Sequence, residues 1–155
     1  MIKTNAMRML DKAKIKYQTH EYENNGFVDG VTIASKMGMD ENKVFKTLVT
    51  VAPSKNNYVF VIPVAKELNL KACAASVGEK SVEMIHVKDI TKVTGYIRGG
   101  CSPIGMKKLF KTVIDESCLN LETIVFSAGK IGYQIEMNPN DLINLIGGST
   151  AKLTF

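Results

Sequence analysis

The sequence predicts an α+β fold, a mixed and strongly twisted β-sheet with helices packed around it. Two observations carry this reading. Helical and strand-like segments are interspersed along the whole chain, and several strand-like segments are joined by short polar or glycine-bearing turns. Such hairpins make antiparallel neighbours, which excludes a purely parallel, doubly wound sheet. The 155 residues suit one domain spanning 1–155, and no repeat, linker or low-complexity tract divides them.

The elements follow in order. Asn5 to Ile15 has helical spacing, with Ala6, Met9, Leu10 and Ala13 expected inward and Arg8, Lys12 and Lys16, with Lys14 nearby, as a basic stripe. Tyr17 to Tyr22 reads as a short strand, and Asn24-Asn25-Gly26 is turn chemistry. Val31 to Lys36 is helical and stops at Gly38. Val44 to Val51 and Tyr58 to Val64 form a hairpin around Pro53 and the polar run Ser54 to Asn57. Leu70 to Val77 is a helix ended by Gly78, and Val87 to Val93 a short helix entering Gly95. Thr112 to Asp115 is a strand. Thr123 to Ser127 and Ile131 to Met137 are strands joined across Ala128-Gly129-Lys130. Asn138 or Asn140 caps a last helix, with Pro139 early and Gly147 at its end.

Composition excludes several classes. Apolar residues make up 45% and charged residues 23%, enough for a core and too polar for a membrane span. No signal-peptide core follows Met1. Cys73, Cys101 and Cys118 form no CxxC pair, and His20 and His86 are the only histidines, so no disulfide framework or metal site is expected. This usage fits a reduced, cytoplasmic compartment. The net charge of +5 and pI near 9.1 suit a polyanionic partner, a weak signal by itself. Neither dinucleotide- nor phosphate-binding glycine motifs, HExxH nor GxSxG occurs, so no cofactor, metal or triad is implied.

Three features remain. Gly95 to Gly105 holds four glycines and one proline in eleven residues. Such a loop serves either as a structural turn or as a nest of amides, and Gly99, Gly100 and Cys101 are the amides expected to face a carbonyl oxygen, with Pro103 stiffening the turn. Lys46 interrupts a strand that is largely apolar on both faces. An ammonium there either snorkels out at the strand end or lines a polar cavity, because burying it unpaired is costly. Ser127 precedes the Gly129-Lys130 turn, where a serine often bonds its own backbone. Cys101 reads as a small apolar residue, since no Cys-His-Asn pattern supports a nucleophile; a thiol-redox role is the alternative reading of that open-loop cysteine.

Lysine, loop and hairpin occur together, in this order, as V-F-K-T-L, G-G-C-S-P-I-G and S-A-G-K. On these motifs the chain resembles the YbaK/EbsC family of aminoacyl-tRNA deacylases over nearly its whole length. The resemblance implies a partly closed, barrel-like form of the mixed sheet. It implies Lys46 with Gly99 and Gly100 as the catalytic group, and Tyr22, Cys101, Ser102, Pro103 and Ser127 as substrate contacts. It implies aminoacylated tRNA as substrate, prolyl-tRNA synthetase as a candidate partner, and removal of cysteine from mischarged Cys-tRNA(Pro) with the substrate thiol as nucleophile. A deacylase of another mischarged tRNA, such as Ala-tRNA(Pro), and a non-catalytic tRNA- or synthetase-binding module are the alternatives.

Overall fold

The structure, a computed structural model, describes residues 2–23 and 29–155. Its elements are α1 (Asn5–Lys12), β1 (Gln18–Glu21), α2 (Gly30–Lys36), β2 (Phe45–Val51), β3 (Asn57–Pro63), α3 (Leu70–Ser76), β4 (Glu83–Met84), α4 (Ile90–Thr94), β5 (Lys111–Asp115), β6 (Ile124–Ser127), β7 (Tyr133–Met137), α5 (Pro139–Ile146) and β8 (Ser149–Ala151). Single 3₁₀ turns at Val87–Asp89 and Glu116–Asn120 precede α4 and follow β5.

The strands form two sheets, ordered β1-β7-β6 and β4-β2-β3-β5-β8. The first is wholly antiparallel. In the second, β2 is antiparallel to β3 and β4, whereas β3-β5 and β5-β8 are parallel. A parallel bridge between Val44 and Val125 brings the beginning of β2 beside β6 and joins the two sheets at one edge. The barrel is therefore partial: the sheets meet at that seam and do not close.

Polar caps set the helix starts. Thr4, Asp29, Asn69 and Asn138 each accept a hydrogen bond from an amide in the first turn of α1, α2, α3 and α5. Gly95 and Gly147 end α4 and α5 in the left-handed conformation. The main core lies between the sheets and α1, and includes Leu10, Phe45, Val61, Ile114, Phe126 and Leu142. Phe126 is fully buried, which contributes about 2–3 kcal/mol to folding.

Two readings of the sequence change. The first helix stops at Lys12, and its buried face is Ala6, Met7 and Leu10, with Met9 left exposed. A helix of eight residues presents a narrow face, and Met7 fills it beside Ala6. The strands β4 and β8 lack sequence signals because one has two residues and the other is a polar Ser-Thr-Ala. The turn expected at Asn24-Asn25-Gly26 lies outside the described residues.

Candidate active site

Lys46 is the second residue of β2, paired with Ile62 of β3. Continuing the Val44–Val125 register by two residues puts Lys46 level with Ser127 at the end of β6. There the chain turns into the β6-β7 hairpin instead of extending the sheet, and a cleft opens between the two. Lys46 is half-buried at this opening. Among the described residues its ammonium has no hydrogen bond or ion pair. It lies near enough to Asp29 to add to the lowering of that carboxyl. The larger causes there are the amide and hydroxyl of Thr32, which Asp29 caps.

The glycine loop forms the other wall. Gly95 turns the chain out of α4 with φ 86°, and Gly99 adopts φ 84°, a left-handed conformation that glycine takes without penalty. Tyr96 ties the loop together: its amide donates to the Thr94 hydroxyl and its phenol to the Ile104 carbonyl. The same ring reaches the hairpin. A Cβ on Gly129 would stand 2.8 Å from the ring edge, and Gly129 has φ 97°. Only glycine satisfies both conditions, so the loop and the S-A-G-K turn fit together through Tyr96. Ser127 accepts a hydrogen bond from the Gly129 amide and shapes this turn.

The cleft has a volume of about 580 Å³. Lys46, Gly99, Cys101 and Ser127 of the expected residues line it, together with Asp29, Arg98, Thr47 and Gln134. Ile33, Val44, Phe45 and Val64 form its apolar wall. Four expected residues stand outside the lining. Tyr22 is buried, with its amide on the Gly132 carbonyl. Ser102 is fully buried and accepts from the Ile104 amide, and Pro103 is buried beside it, so both shape the loop from behind. The Gly100 amide donates to the Ile97 carbonyl at 2.9 Å and is engaged inside the loop. A Cβ on Gly100 would meet Ile131 at 3.5 Å, an ordinary contact, so the close approach expected at this glycine is absent. Among the described residues, the amides of Gly99 and Cys101 donate to no backbone or side-chain acceptor, which leaves two donors on this wall.

Burial pushes the Cys101 thiol above its ordinary pKa, partly offset by the Thr94 hydroxyl, so it is a neutral thiol at physiological pH. Neither other cysteine is near the cleft. Both are buried, with pKa values raised to about 11 by burial and by Asp115.

Sequence reasoning missed Gln134 and Thr47. Gln134 looked like an ordinary polar residue of an alternating strand. Its register partner across β6 is Ser127, which places both at the same end of the cleft. It is 4% exposed, and among the described residues its Oε1 has no hydrogen-bond partner; neither has Thr47 Oγ1. The available signal was positional: a glutamine facing the serine of a motif hairpin.

Fold, cleft and motif loop define a domain of the kind that edits aminoacylated tRNA. The profile of the aminoacyl-tRNA editing domain matches residues 29–145, and the chain belongs to this family. It is 44% identical over 153 residues to EbsC of Enterococcus faecalis, a proposed Cys-tRNA(Pro)/Cys-tRNA(Cys) deacylase, covering 98% of this chain and 93% of that protein. Among solved structures, a proposed trans-editing enzyme for prolyl tRNA synthetase superposes with TM-score 0.82 at 20% identity over 98% of both chains. The hypothetical protein APE2540 superposes with TM-score 0.87 at 20% identity, over 96% of this chain and 97% of that one. At such identities the two structures establish the fold.

Proposed function

We propose that the protein removes cysteine from mischarged Cys-tRNA(Pro), with the substrate thiol as nucleophile. The observation that carries this reading is that Lys46, whose ammonium has no hydrogen bond or ion pair among the described residues, lines one cleft with Gly99 and Cys101, whose amides are likewise uncommitted there. These groups are placed to receive the ester carbonyl oxygen and the negative charge that develops on it. The cleft supplies charge stabilisation without an activated nucleophile, since Cys101 is held as a thiol and Ser127 has no base. The substrate then provides the attacking sulfur. A C–S bond forms to the cysteine's own carbonyl carbon, the ester C–O bond breaks, and the thiol proton ends on the ribose hydroxyl that leaves. The product is a thiolactone that water opens to free cysteine.

This chemistry supports discrimination that packing alone does not. Cysteine and proline are similar in size, and a difference of about one methylene is worth only about 1–3 kcal/mol in a pocket. Proline has no thiol and is spared. Ser127, at the hairpin, contacts the aminoacyl group, and Tyr22, Gly100, Ser102 and Pro103 hold the walls in place. Exposed Arg8 and Lys12 on α1, with exposed Lys14 and Lys16 beyond its end rather than on one helical stripe, offer a surface for tRNA phosphates. Prolyl-tRNA synthetase is the natural partner, and the cytoplasm the setting. The test is a deacylation panel on tRNA(Pro) charged with cysteine, alanine or proline. Cysteine is released fastest and proline is retained. Rapid release of alanine would move the assignment to another branch of the family.

A further inference from the structure

Two polar atoms at the cleft have no partner among the described residues, and both are shielded. Gln134 is 4% exposed and Oε1 is unmet; Thr47 Oγ1 is unmet elsewhere on the cleft lining. A buried acceptor without a donor is costly, and most such groups in folded proteins are satisfied. Gln134 does not stabilise the sheet through its side-chain carbonyl. Its terminal torsion is soft, so a small rotation turns that carbonyl toward a ligand in the cleft. A ligand that meets it must bring a hydrogen-bond donor.

Building on the deacylase reading, we infer that Gln134 binds the α-amino group of the substrate ester and so selects primary α-amino acids. The α-amino group is the strongest donor on an aminoacyl ester; a thiol is a weak one. When protonated it is repelled by Lys46 and by Arg98 at the rim, so neutral acceptors must offset that repulsion. Ser127, across the ladder from Gln134, offers a second oxygen. Asp29 is the other acceptor in the cleft, but it is exposed at the rim and already caps α2, so water screens a pair formed there. Proline brings a ring nitrogen with fewer N–H donors, joined to its own side chain, and satisfies these acceptors poorly. Gln134 thereby adds a selection step that does not depend on the thiol.

The experiment crosses two enzymes with two substrates: wild type and Gln134→Met, on cysteinyl-tRNA(Pro) and on 3-mercaptopropionyl-tRNA(Pro), which keeps the thiol and lacks the amino group. For a hydrogen bond to a charged donor, Gln134→Met should lower kcat/KM on the cysteinyl ester by about tenfold to a hundredfold. On the mercaptopropionyl ester the two enzymes should be equal, because the partner is already missing. The melting temperature of Gln134→Met should match or exceed wild type, since an unmet polar atom has been removed. Equal losses on both esters, no loss on either, or a fall in melting temperature that accompanies the activity loss would each overturn the inference while leaving the deacylase reading intact. Failure of wild type to hydrolyse cysteinyl-tRNA(Pro) would overturn that reading and this inference with it.

Discussion

Two residues of β7 share one face and differ in one respect. Glu136 is surrounded: His20 lies 2.7 Å from one carboxylate oxygen, while Lys43 and the Thr123 hydroxyl reach the other at 2.6 and 2.5 Å. Gln134, two positions earlier, has an unmet carbonyl. Burial alone would raise the Glu136 carboxyl, yet the bonds from Lys43, Thr123 and His20 outweigh it and hold the pKa at about 2. Glu136 thus ties β1, β6 and the entry to β2 into one seam. Glu136, with a full set of partners, builds the fold, whereas Gln134, Thr47 and Lys46, left incomplete among the described residues, line the cleft. Ser117 Oγ is also unmet but lies away from this cleft, so the contrast supports the site and does not define it alone.

The largest expected effect tests the cleft side. If the protein supplies charge stabilisation and no nucleophile, Ser-tRNA(Pro) should be hydrolysed at least about 10²-fold more slowly than Cys-tRNA(Pro), because a hydroxyl is scarcely ionised at neutral pH. Alkylation of the substrate thiol should stop turnover. Release of free serine at a comparable rate would break the contrast by revealing an enzyme-activated water.

Gly129→Ala comes next. The new Cβ meets the Tyr96 ring at 2.8 Å and the backbone there has φ 97°, so about 1–3 kcal/mol of stability should be lost. The loop wall should shift with it, and thermal melts beside deacylation assays should show both falling. Gly100→Ala, with only ordinary contacts at Ile131, is the control that should retain its melting temperature.

The seam side is read through pH. Glu136 has a folded pKa near 2, below an unfolded value near 4.5, so its stabilisation is complete above the unfolded value and disappears as pH falls through the folded one. The wild-type melting temperature should therefore fall between about pH 4.5 and pH 2. Glu136→Gln should melt lower at neutral pH, by on the order of 2 kcal/mol, with a flatter profile across that window. An unchanged acid profile in the variant would remove Glu136 from the seam. Smallest of all is Cys101→Ser. The thiol is neutral and makes only long hydrogen bonds, with the Thr94 hydroxyl and to the Ile97 carbonyl, which a serine hydroxyl can replace, so deacylation should stay within about twofold of wild type, as expected of a near-isosteric change.

Much of this was legible in the sequence where local chemistry decides. Asn138 and Pro139 began the last helix, Gly95 and Gly147 ended theirs, and the Pro53 turn gave the β2-β3 hairpin. Lys46, Gly99, Cys101 and Ser127 were readable because a charge in an apolar strand and a dense glycine loop stand out from their surroundings. The rest depended on partners distant in the chain. No local signal separates the Gly100 amide, engaged with Ile97, from the amides of Gly99 and Cys101. Gln134 and Glu136 are both polar positions on an alternating strand. Only the neighbours brought up by β1, β6 and Lys43 tell them apart.

The most direct test is the single-turnover rate of Cys-tRNA(Pro) deacylation by Lys46→Ala, measured on protein whose melting temperature matches wild type. Removing this ammonium should slow the reaction by about 10²-fold or more, with little loss of stability because among the described residues it makes no hydrogen bond or ion pair and lies only near the exposed Asp29. Near-normal turnover by the folded variant would contradict the assignment of the incomplete polar groups to the substrate.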